Sequence, residues 1–330
     1  MPYTVNSCFD KFRRDEVDLD PEQTKTARAS RDFVLDNIAW LSNEKKLPDV
    51  LGDYSLHYGS FARRTKIRPL DDIDMMICYN GSCGVYDTIK KNEMYQIRFS
   101  GSHPFFDELR NDDGQTLNSR KIINQLKDAL SGVEKYSKAE FHRRGEAATL
   151  QLSSYPWNFD IIPCFYTKTG FYLIPDGQGN WKNTDPRIDR TRVVEINQFY
   201  NGNALPLIRL MKYWKKQAWG GDEVSSYMFE QMVLNGISDR RIQGNNWQER
   251  TKSALAYLKD AIRQPVSDPK GIQGDLNTLG EASRIDLSNT AQIAFTSAVW
   301  AIVNETVGKT KDAIDEWKSV FGDEFPDYGA

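Results

Sequence analysis

Apolar residues in the first part of the chain recur at helical spacing. In DLDPEQTKTARASRDFVLDNIAWLSNE the repeating apolar positions are Ala27, Phe33, Val34, Ile38 and Leu41. Apolar side chains three or four residues apart lie on one face of a helix. Pro21 stands just inside the expected start, with Asp20 as the candidate N-cap. We therefore predict a long amphipathic helix that begins at Pro21.

The middle of the chain has the shorter period of strands. DYSLHYGS predicts a strand that meets a turn, and DIDMMICY predicts a strand of nearly continuous apolar content. A helix is expected over NSRKIINQLKDALSG, ended by Gly132. Three further runs then read as strands: AATLQLSS, NFDIIPCFYT and GFYLIPD.

The pattern after residue 203 is helical again. ALPLIRLMKYWKKQA has one apolar stripe, made of Leu207, Leu210, Met211 and Trp214. SSYMFEQMVLNGI and TAQIAFTSAVWAIVNETV predict further helices, and the Pro- and Gly-rich stretch RQPVSDPKGIQGDLNTLG predicts an ordered loop between helices. Helices first, strands in the middle and helices last indicate an α+β core with a helical cap.

Composition narrows the class of protein. The 330 residues carry 43 Lys and Arg against 46 Asp and Glu, a net charge of −3, which argues against binding of extended nucleic acid through a large basic surface. Four scattered cysteines and three histidines show no metal-ligand spacing, so neither a zinc site nor a disulfide framework is expected. No apolar run has the length of a membrane span. We expect a reduced, soluble, cytoplasmic protein.

The first candidates for functional residues are two acids inside an apolar strand. Residues i and i+2 of a strand project from the same face, so Asp72 and Asp74 are expected side by side while Ile73 and Met75 point into the core. Neighbouring carboxylates repel unless a cation or proton intervenes, and Mg²⁺ is the simplest partner because it prefers oxygen ligands. The alternative is a strand whose polar face lies in water.

Two other features point in the same direction. Gly59 and Ser60 follow a predicted strand and enter a predicted helix, where backbone N–H groups can bind a phosphate, although many Gly-Ser pairs make ordinary turns. Asp160 begins a second apolar strand, NFDIIPCF. If that strand pairs beside DIDMMI, three acids converge as in a site for two metal ions; alternatively, Asp160 is a surface strand end.

Taken together, these residues resemble the signature of polymerase-β type nucleotidyltransferases. The similarity lies in Tyr58-Gly59-Ser60, then Asp72-Ile73-Asp74-Met75 and later Asp160. Asp71 blurs the register, and Asp72 and Asp74 are chosen because an apolar residue follows each. Three more segments, CFDKFRRDEVDLDPEQTKTARASRDFV, LIPDGQGNWKNTDPR and RLMKYWKKQ with SSYMFEQMV, resemble the CD-NTases, bacterial relatives of cyclic GMP–AMP synthase.

The resemblance implies a fold and a reaction. The fold is a polymerase-β-like nucleotidyltransferase core, a mixed sheet flanked by helices, with a helical C-terminal lobe and the active site in the cleft between. Residues 1–200 would form the core with the N-terminal helices, and residues 201–330 the lobe. The reaction is template-independent synthesis of a cyclic di- or trinucleotide from NTPs such as ATP and GTP. It releases pyrophosphate and serves antiphage (CBASS) signalling.

The resemblance also assigns residues. Asp72, Asp74 and Asp160 would ligate two Mg²⁺ ions, for which Mn²⁺ can substitute. The donor triphosphate would be held by Gly59, Ser60, Lys212 and Ser226, and Tyr227 would stack on the donor base. Ordinary alternatives for the last three are a solvated helix face for Lys212, a helix N-cap for Ser226 and core packing for Tyr227.

The resemblance also implies binding partners, and two other functions are alternatives. A downstream effector would bind the cyclic product, and a conjugation partner would attach through Ala330, for which the alternative is a frayed terminus. One alternative function keeps the fold but adds NMP to RNA ends or to a protein. Another is an inactive nucleotide-binding sensor. The presence of all three acids argues against it.

Overall fold

The computed structural model describes residues 3–219 and 224–329. The chain divides into two compact units. The strand unit contains residues 21–64 and 70–190, and the helical unit contains residues 1–20, 65–69 and 191–330. The first helix, α1 (Val5–Phe12), belongs to the helical unit because its apolar face lies in the same hydrophobic core as the C-terminal helices. This grouping differs from the predicted division after residue 200, and the functional assignment of each part stays a prediction.

The strand unit is a mixed sheet with helices. Its helices and strands are α2 (Pro21–Asn43), β1 (Leu56–Tyr58), α3 (Gly59–Ala62), β2 (Asp72–Cys78), β3 (Gly84–Lys90), β4 (Met94–Phe99), α4 (Ser119–Ser131), β5 (Glu140–Arg144), β6 (Ala147–Gln151), β7 (Asn158–Tyr166), β8 (Tyr172–Pro175) and β9 (Trp181–Thr184). Short 3₁₀ turns lie at Gly52–Tyr54, Asp107–Leu109 and Glu134–Tyr136. An α+β fold with a mixed sheet is therefore confirmed.

The central strand of the sheet is β7. The strand order is β1-β2-β7-β8-β9-β4-β3, and the β5–β6 hairpin joins through β6 pairing with β7. The pairing of β2 with β7 is parallel, whereas all the other pairs are antiparallel. A parallel pair requires a long crossover, which here runs from β2 through α4 to β7.

The β2 and β7 strands bury one face against the core, as their alternation predicts. On β2, Ile73 and Met75 are 1% and 0% exposed. The predicted apolar face of α2 is also confirmed at Ala27, Val34, Ile38 and Leu41, all of which are buried. Phe33 was wrongly placed on that face: it is 39% exposed and lies under the ammonium group of Lys135.

The helical unit is built around one apolar core. After the π-helical turn at Arg13–Val17, its helices are α5 (Pro186–Phe199, which begins in the strand unit), α6 (Ala204–Ala218), α7 (Ser226–Ser238), α8 (Trp247–Ala261), α9 (Glu281–Thr306) and α10 (Thr310–Phe321). The predicted stripe on α6, Leu207, Leu210, Met211 and Trp214, is fully buried in this core. No helix within the described residues is long and apolar enough to cross a membrane.

The start of α4 offers a test of the local structure. Asn118 caps the helix: its side-chain oxygen accepts from the N–H groups of Arg120 at 2.9 Å and Lys121 at 3.2 Å. Loss of such a cap costs about 1 kcal/mol. We expect Asn118→Ala to lower the free energy of unfolding in urea by about that amount. Asn124→Ala, at an exposed position inside the same helix, is the control and is expected to change it by less. Equal effects would contradict the capping role.

Candidate active site

The strand register brings two of the predicted acids to directly opposite positions. In the β2–β7 pair Asp74 lies beside Asp160, and in the β1–β2 pair Tyr58 lies beside Asp74. Directly paired residues project from the same face of a sheet, and so does a residue two positions away. Asp72, at the start of β2, therefore shares this face. The expected pairing of the two acidic strands is confirmed, and we call this side of the sheet the acid face.

A threonine orients one of the carboxylates. Thr149 on β6 lies opposite Asp160, and its hydroxyl donates to Asp160 Oδ1 at 2.7 Å. Thr149 is 1% exposed, so this hydrogen bond is shielded from water. It fixes one oxygen of the Asp160 carboxylate. Sequence reasoning missed Thr149 because nothing in AATLQLSS distinguishes it before the pairing is known.

Gly59 is in contact with the carboxylate of Asp74. Its φ is +71°, a left-handed conformation that glycine adopts readily. A Cβ built on Gly59 would lie 1.7 Å from Asp74 Oδ2, far inside van der Waals contact. Only glycine therefore allows the turn from β1 into α3 to approach the acid this closely. Ser60 follows in the first turn of α3, where backbone N–H groups lack intrahelical acceptors.

Tyr58 is a neutral neighbour of the acids. Burial raises the pKa of its hydroxyl well above the usual value, and the negative charges of Asp74, Glu146 and Asp160 raise that pKa further. The phenol therefore stays protonated at neutral pH. A protonated phenol adds no negative charge to a face that already holds several carboxylates.

The donor set fits a hard divalent cation. Neighbouring strands lie about 5 Å apart, so the carboxylates of Asp74 and Asp160 can bind one ion from opposite sides. Among residues 3–219 and 224–329, no three acidic, histidine or cysteine side chains form a ready-made cluster for one ion. Mg²⁺ suits this arrangement because it commonly takes one or two carboxylates together with substrate phosphates and water. The metal-binding roles of Asp72, Asp74 and Asp160 stay predictions.

An ion pair that the sequence did not reveal also lies on the acid face. Lys182 on β9 pairs with Ile174 on β8, which places it on the same face as Asp160 through the β7–β8 register. Its ammonium group binds the carboxylate of Glu146, from the β5–β6 turn. Both side chains are about one-third exposed, at 35% and 34%. The only sequence signal was the position of Lys182 after Trp181 in GNWKNTDP.

In the helical unit, Lys212 is buried rather than on a solvated helix face. The residue is 5% exposed, and its Nζ donates to the backbone carbonyl of Thr65 at 3.1 Å. Glu230 Oε2 lies 3.9 Å from the same Nζ and accepts from the Thr65 hydroxyl at 2.7 Å. This network ties α6 and α7 to the segment at residue 65. Whether Lys212 also binds a triphosphate stays a prediction.

Ser226 and Tyr227 begin α7. The N-cap is Ser225, whose hydroxyl accepts from the Met228 N–H, so the alternative reading of Ser226 as the cap is wrong. Ser226 is exposed at the first helical position. Tyr227 is half-buried, and its hydroxyl donates to Asp268 Oδ1 at 3.1 Å. Ala330, the predicted conjugation site, lies outside the described residues.

Comparisons with known proteins identify relatives over the full chain. A curated Bacillus cereus protein of strain VD146, named as a probable cyclic nucleotide synthase, is 43% identical and covers 99% of both chains. The cyclic dipyrimidine nucleotide synthase CdnE of Cecembia lonarensis is 26% identical over 75% of this chain and 81% of its own. The solved structure of Escherichia coli MS115-1 CdnC with ATP superposes with a TM-score of 0.72 at 16% identity, over 98% of this chain and 100% of CdnC. No protein-family model matches.

The superposition on CdnC shows the fold, a mixed sheet in which the acids of β2 and β7 are opposed. The full-length similarity to the Bacillus cereus protein is more specific. The chain belongs to the CD-NTase family of cyclic oligonucleotide synthases. The predicted family, fold class and enzyme class are thereby confirmed.

The contact between Gly59 and Asp74 yields a prediction with a matched control. Gly59→Ala introduces both left-handed strain and a clash with the carboxylate, whereas Gly101→Ala introduces strain at a φ of +79° with no atom within 4 Å. Each change is expected to cost about 1–2 kcal/mol of stability from strain. Only Gly59→Ala is expected to lower nucleotidyl transfer, by about 100-fold or more, because it displaces a carboxylate that is predicted to lie at the reacting centre. Equal activity in the two variants would contradict this.

The buried Lys212 pair yields a second prediction. Lys212→Met leaves the Glu230 carboxylate buried without its cation, and breaking a buried pair costs about 3–5 kcal/mol. We expect that loss in urea unfolding, with little change for Lys216→Met at an exposed position of the same helix.

A double variant separates the structural role of Lys212 from phosphate binding. Lys212→Met with Glu230→Gln removes both buried charges and is expected to recover most of the lost stability. If Lys212 also binds the triphosphate, this folded variant stays inactive. Recovery of activity together with stability would contradict the phosphate-binding role.

Proposed function

We propose that the protein joins NTPs into a cyclic di- or trinucleotide with release of pyrophosphate, using Asp72, Asp74 and Asp160 on the acid face. The observation that carries the proposal is the opposition of Asp74 and Asp160 across the β2–β7 pair. The E. coli CdnC structure contains ATP, which supports an NTP substrate here. ATP and GTP are the candidate substrates.

The proposed chemistry is a pair of phosphoryl transfers. A ribose hydroxyl of the acceptor attacks the α-phosphorus of the donor, the bond to the β-phosphate breaks, and pyrophosphate leaves as the hydroxyl proton is lost. A second transfer of the same kind closes the ring. Bound Mg²⁺, for which Mn²⁺ can substitute, supplies charge neutralisation and orientation of the phosphates.

The residues of the strand unit have distinct tasks in this proposal. Asp72 and Asp74 hold the donor side, and Asp160, oriented by Thr149, lies toward the attacking hydroxyl. Gly59 and Ser60 bind the donor triphosphate through the first turn of α3, where the close packing on Asp74 brings phosphate and acid together. The ion pair of Glu146 with Lys182 would contribute one negative and one positive charge to the acid face.

The helical unit supplies the remaining proposed contacts. Lys212 and Ser226 would bind the donor triphosphate, and Tyr227 would stack on the donor base, a contact typically worth about 1–3 kcal/mol. Exposure of Ser226 at the start of α7 supports its role, since a phosphate-binding hydroxyl has to be accessible.

Biological context follows from family membership and stays part of the proposal. The cyclic product would act as an antiphage messenger that a downstream effector binds, in the cytoplasm. Addition of NMP to RNA ends or to a protein is the alternative reaction for the same acids. The net charge of −3 argues against an extended RNA-binding surface. An inactive sensor is disfavoured because the chain has all three acids, Asp72, Asp74 and Asp160.

A product assay tests the function. Purified protein with four labelled NTPs and Mg²⁺ is expected to yield a phosphatase-resistant product, resolved by chromatography and mass spectrometry. Asp72→Asn with Asp74→Asn is expected to abolish that product, because the hard oxygen ligands lose their charge. Asp53→Asn, at an exposed position of the same unit, is the control and should leave it unchanged.

Two outcomes would overturn parts of the proposal. Full activity in the double variant would contradict the metal assignment. Label transferred to added RNA or protein, with no phosphatase-resistant small product, would establish the alternative reaction.

A further inference from the structure

A buried lysine lies against the ring of Tyr227. The loop between α8 and α9 contains Asp268-Pro269-Lys270-Gly271, and Lys270 Nζ lies 4.3 Å from the centroid of the Tyr227 ring. The same ammonium donates to the Tyr227 hydroxyl and lies 2.9 Å from Asp268 Oδ1. The Lys270 side chain is 5% exposed and that of Asp268 is 0% exposed. This buried ammonium therefore lies at the hydroxyl end of the ring.

Asp268 holds the lysine in place. Its Oδ2 accepts from the N–H groups of Ile272 at 3.1 Å and Gln273 at 3.0 Å, while its Oδ1 accepts from the Lys270 N–H at 3.2 Å. Burial alone would raise the pKa of this carboxyl, but the backbone hydrogen bond from Gln273 and the interaction with Lys270 lower it overall. Asp268 is therefore ionised at neutral pH and neutralises the buried ammonium.

The loop itself is ordered by its own backbone. Leu276 N–H donates to the Val266 carbonyl at 2.8 Å, Gly271 N–H donates to the Asp268 carbonyl at 2.9 Å, and the Val266 N–H donates to Asp275 Oδ1 at 2.8 Å. The loop that the sequence predicted as ordered is thus a closed structure that presents Lys270 at a defined position. A defined position matters because a hydrogen bond depends on direction as well as distance.

We propose that Lys270 is a positioning residue for the donor base: its hydrogen bond to the hydroxyl holds the Tyr227 ring in one orientation, in which the ring stacks on the base. This rests on the proposed role of Tyr227 in the reaction. A ring that is already held in one orientation loses less rotational freedom when a base stacks on it, so binding is stronger. Because this effect needs no hydrogen bond to the base, it strengthens binding of every NTP to a similar extent.

The test measures stacking directly in a protein that does not turn over. In the Asp74→Asn background, 1,N6-ethenoadenosine triphosphate with Mg²⁺ is titrated, and quenching of its fluorescence reports stacking. Lys270→Met keeps most of the apolar stem but removes the hydrogen bond to the Tyr227 hydroxyl, so we expect about three- to tenfold weaker binding. Lys311→Met, which breaks an exposed ion pair with Asp315, is the matched control and is expected to bind as the parent does.

Two further variants keep the test decisive if Lys270→Met does not fold. Tyr227→Phe removes the hydroxyl that binds Lys270 and Asp268 but keeps the ring, and we expect about threefold weaker binding. Lys270→Arg restores a cation and is expected to recover binding relative to Lys270→Met. In the active protein, these changes are expected to raise KM about equally for each NTP while kcat stays within about twofold.

The outcomes separate this inference from the proposed function. If the parent quenches the probe and Tyr227→Ala abolishes quenching, while Lys270→Met or Tyr227→Phe binds as the parent does, the positioning role is wrong and the proposed function stands. If the parent binds the probe without quenching, Tyr227 does not stack on the base, and both the Tyr227 assignment and this inference fail.

Discussion

The parallel register of β2 with β7 is the constraint on which the acid face depends. Because Asp74 and Asp160 are direct partners, their carboxylates project from the same side of adjacent strands. A slip of one residue would turn one acid into the core and bring an apolar side chain to the surface. Burial of Ile73 and Met75 on the opposite face makes such a slip costly. The hydrophobic pattern of two strands therefore also sets the positions of the charges.

Several residues contact or adjoin the paired acids. Gly59 gives the space that the Asp74 carboxylate occupies, Thr149 binds Asp160, and Tyr58 stays neutral beside both acids. Concentrated negative charge is unfavourable unless a cation offsets it. The arrangement thus favours a bound metal with its phosphates over an empty face. In the proposed reaction, this one cluster of charges would serve both substrate binding and phosphoryl transfer.

Much of this site was predictable from sequence because its signals are local. An acid inside an apolar strand is conspicuous, and so is a Gly-Ser pair after a strand. The hydrophobic period of the sequence also predicted five of the strands: β1, β2, β6, β7 and β8. In the β3–β4 hairpin, β3 was missed because it is largely exposed, whereas β4 does alternate, with Tyr95, Ile97 and Phe99 buried, and its pattern was overlooked. Thr149 and the Glu146–Lys182 pair were missed because only long-range strand pairing brings them to the acids. The burial of Lys212 was missed because its partners, Thr65 and Glu230, are distant in sequence.

The most direct test of the account is the location of the metal. Crystals grown with Mn²⁺ and a non-hydrolysable NTP would be measured at the manganese absorption edge. The account predicts anomalous peaks within about 2–2.5 Å of carboxylate oxygens of Asp74 and Asp160, on the acid face, next to the triphosphate. Manganese bound only elsewhere, or a triphosphate bound away from Gly59 and Ser60, would contradict the claim that the β2–β7 register builds the reaction centre.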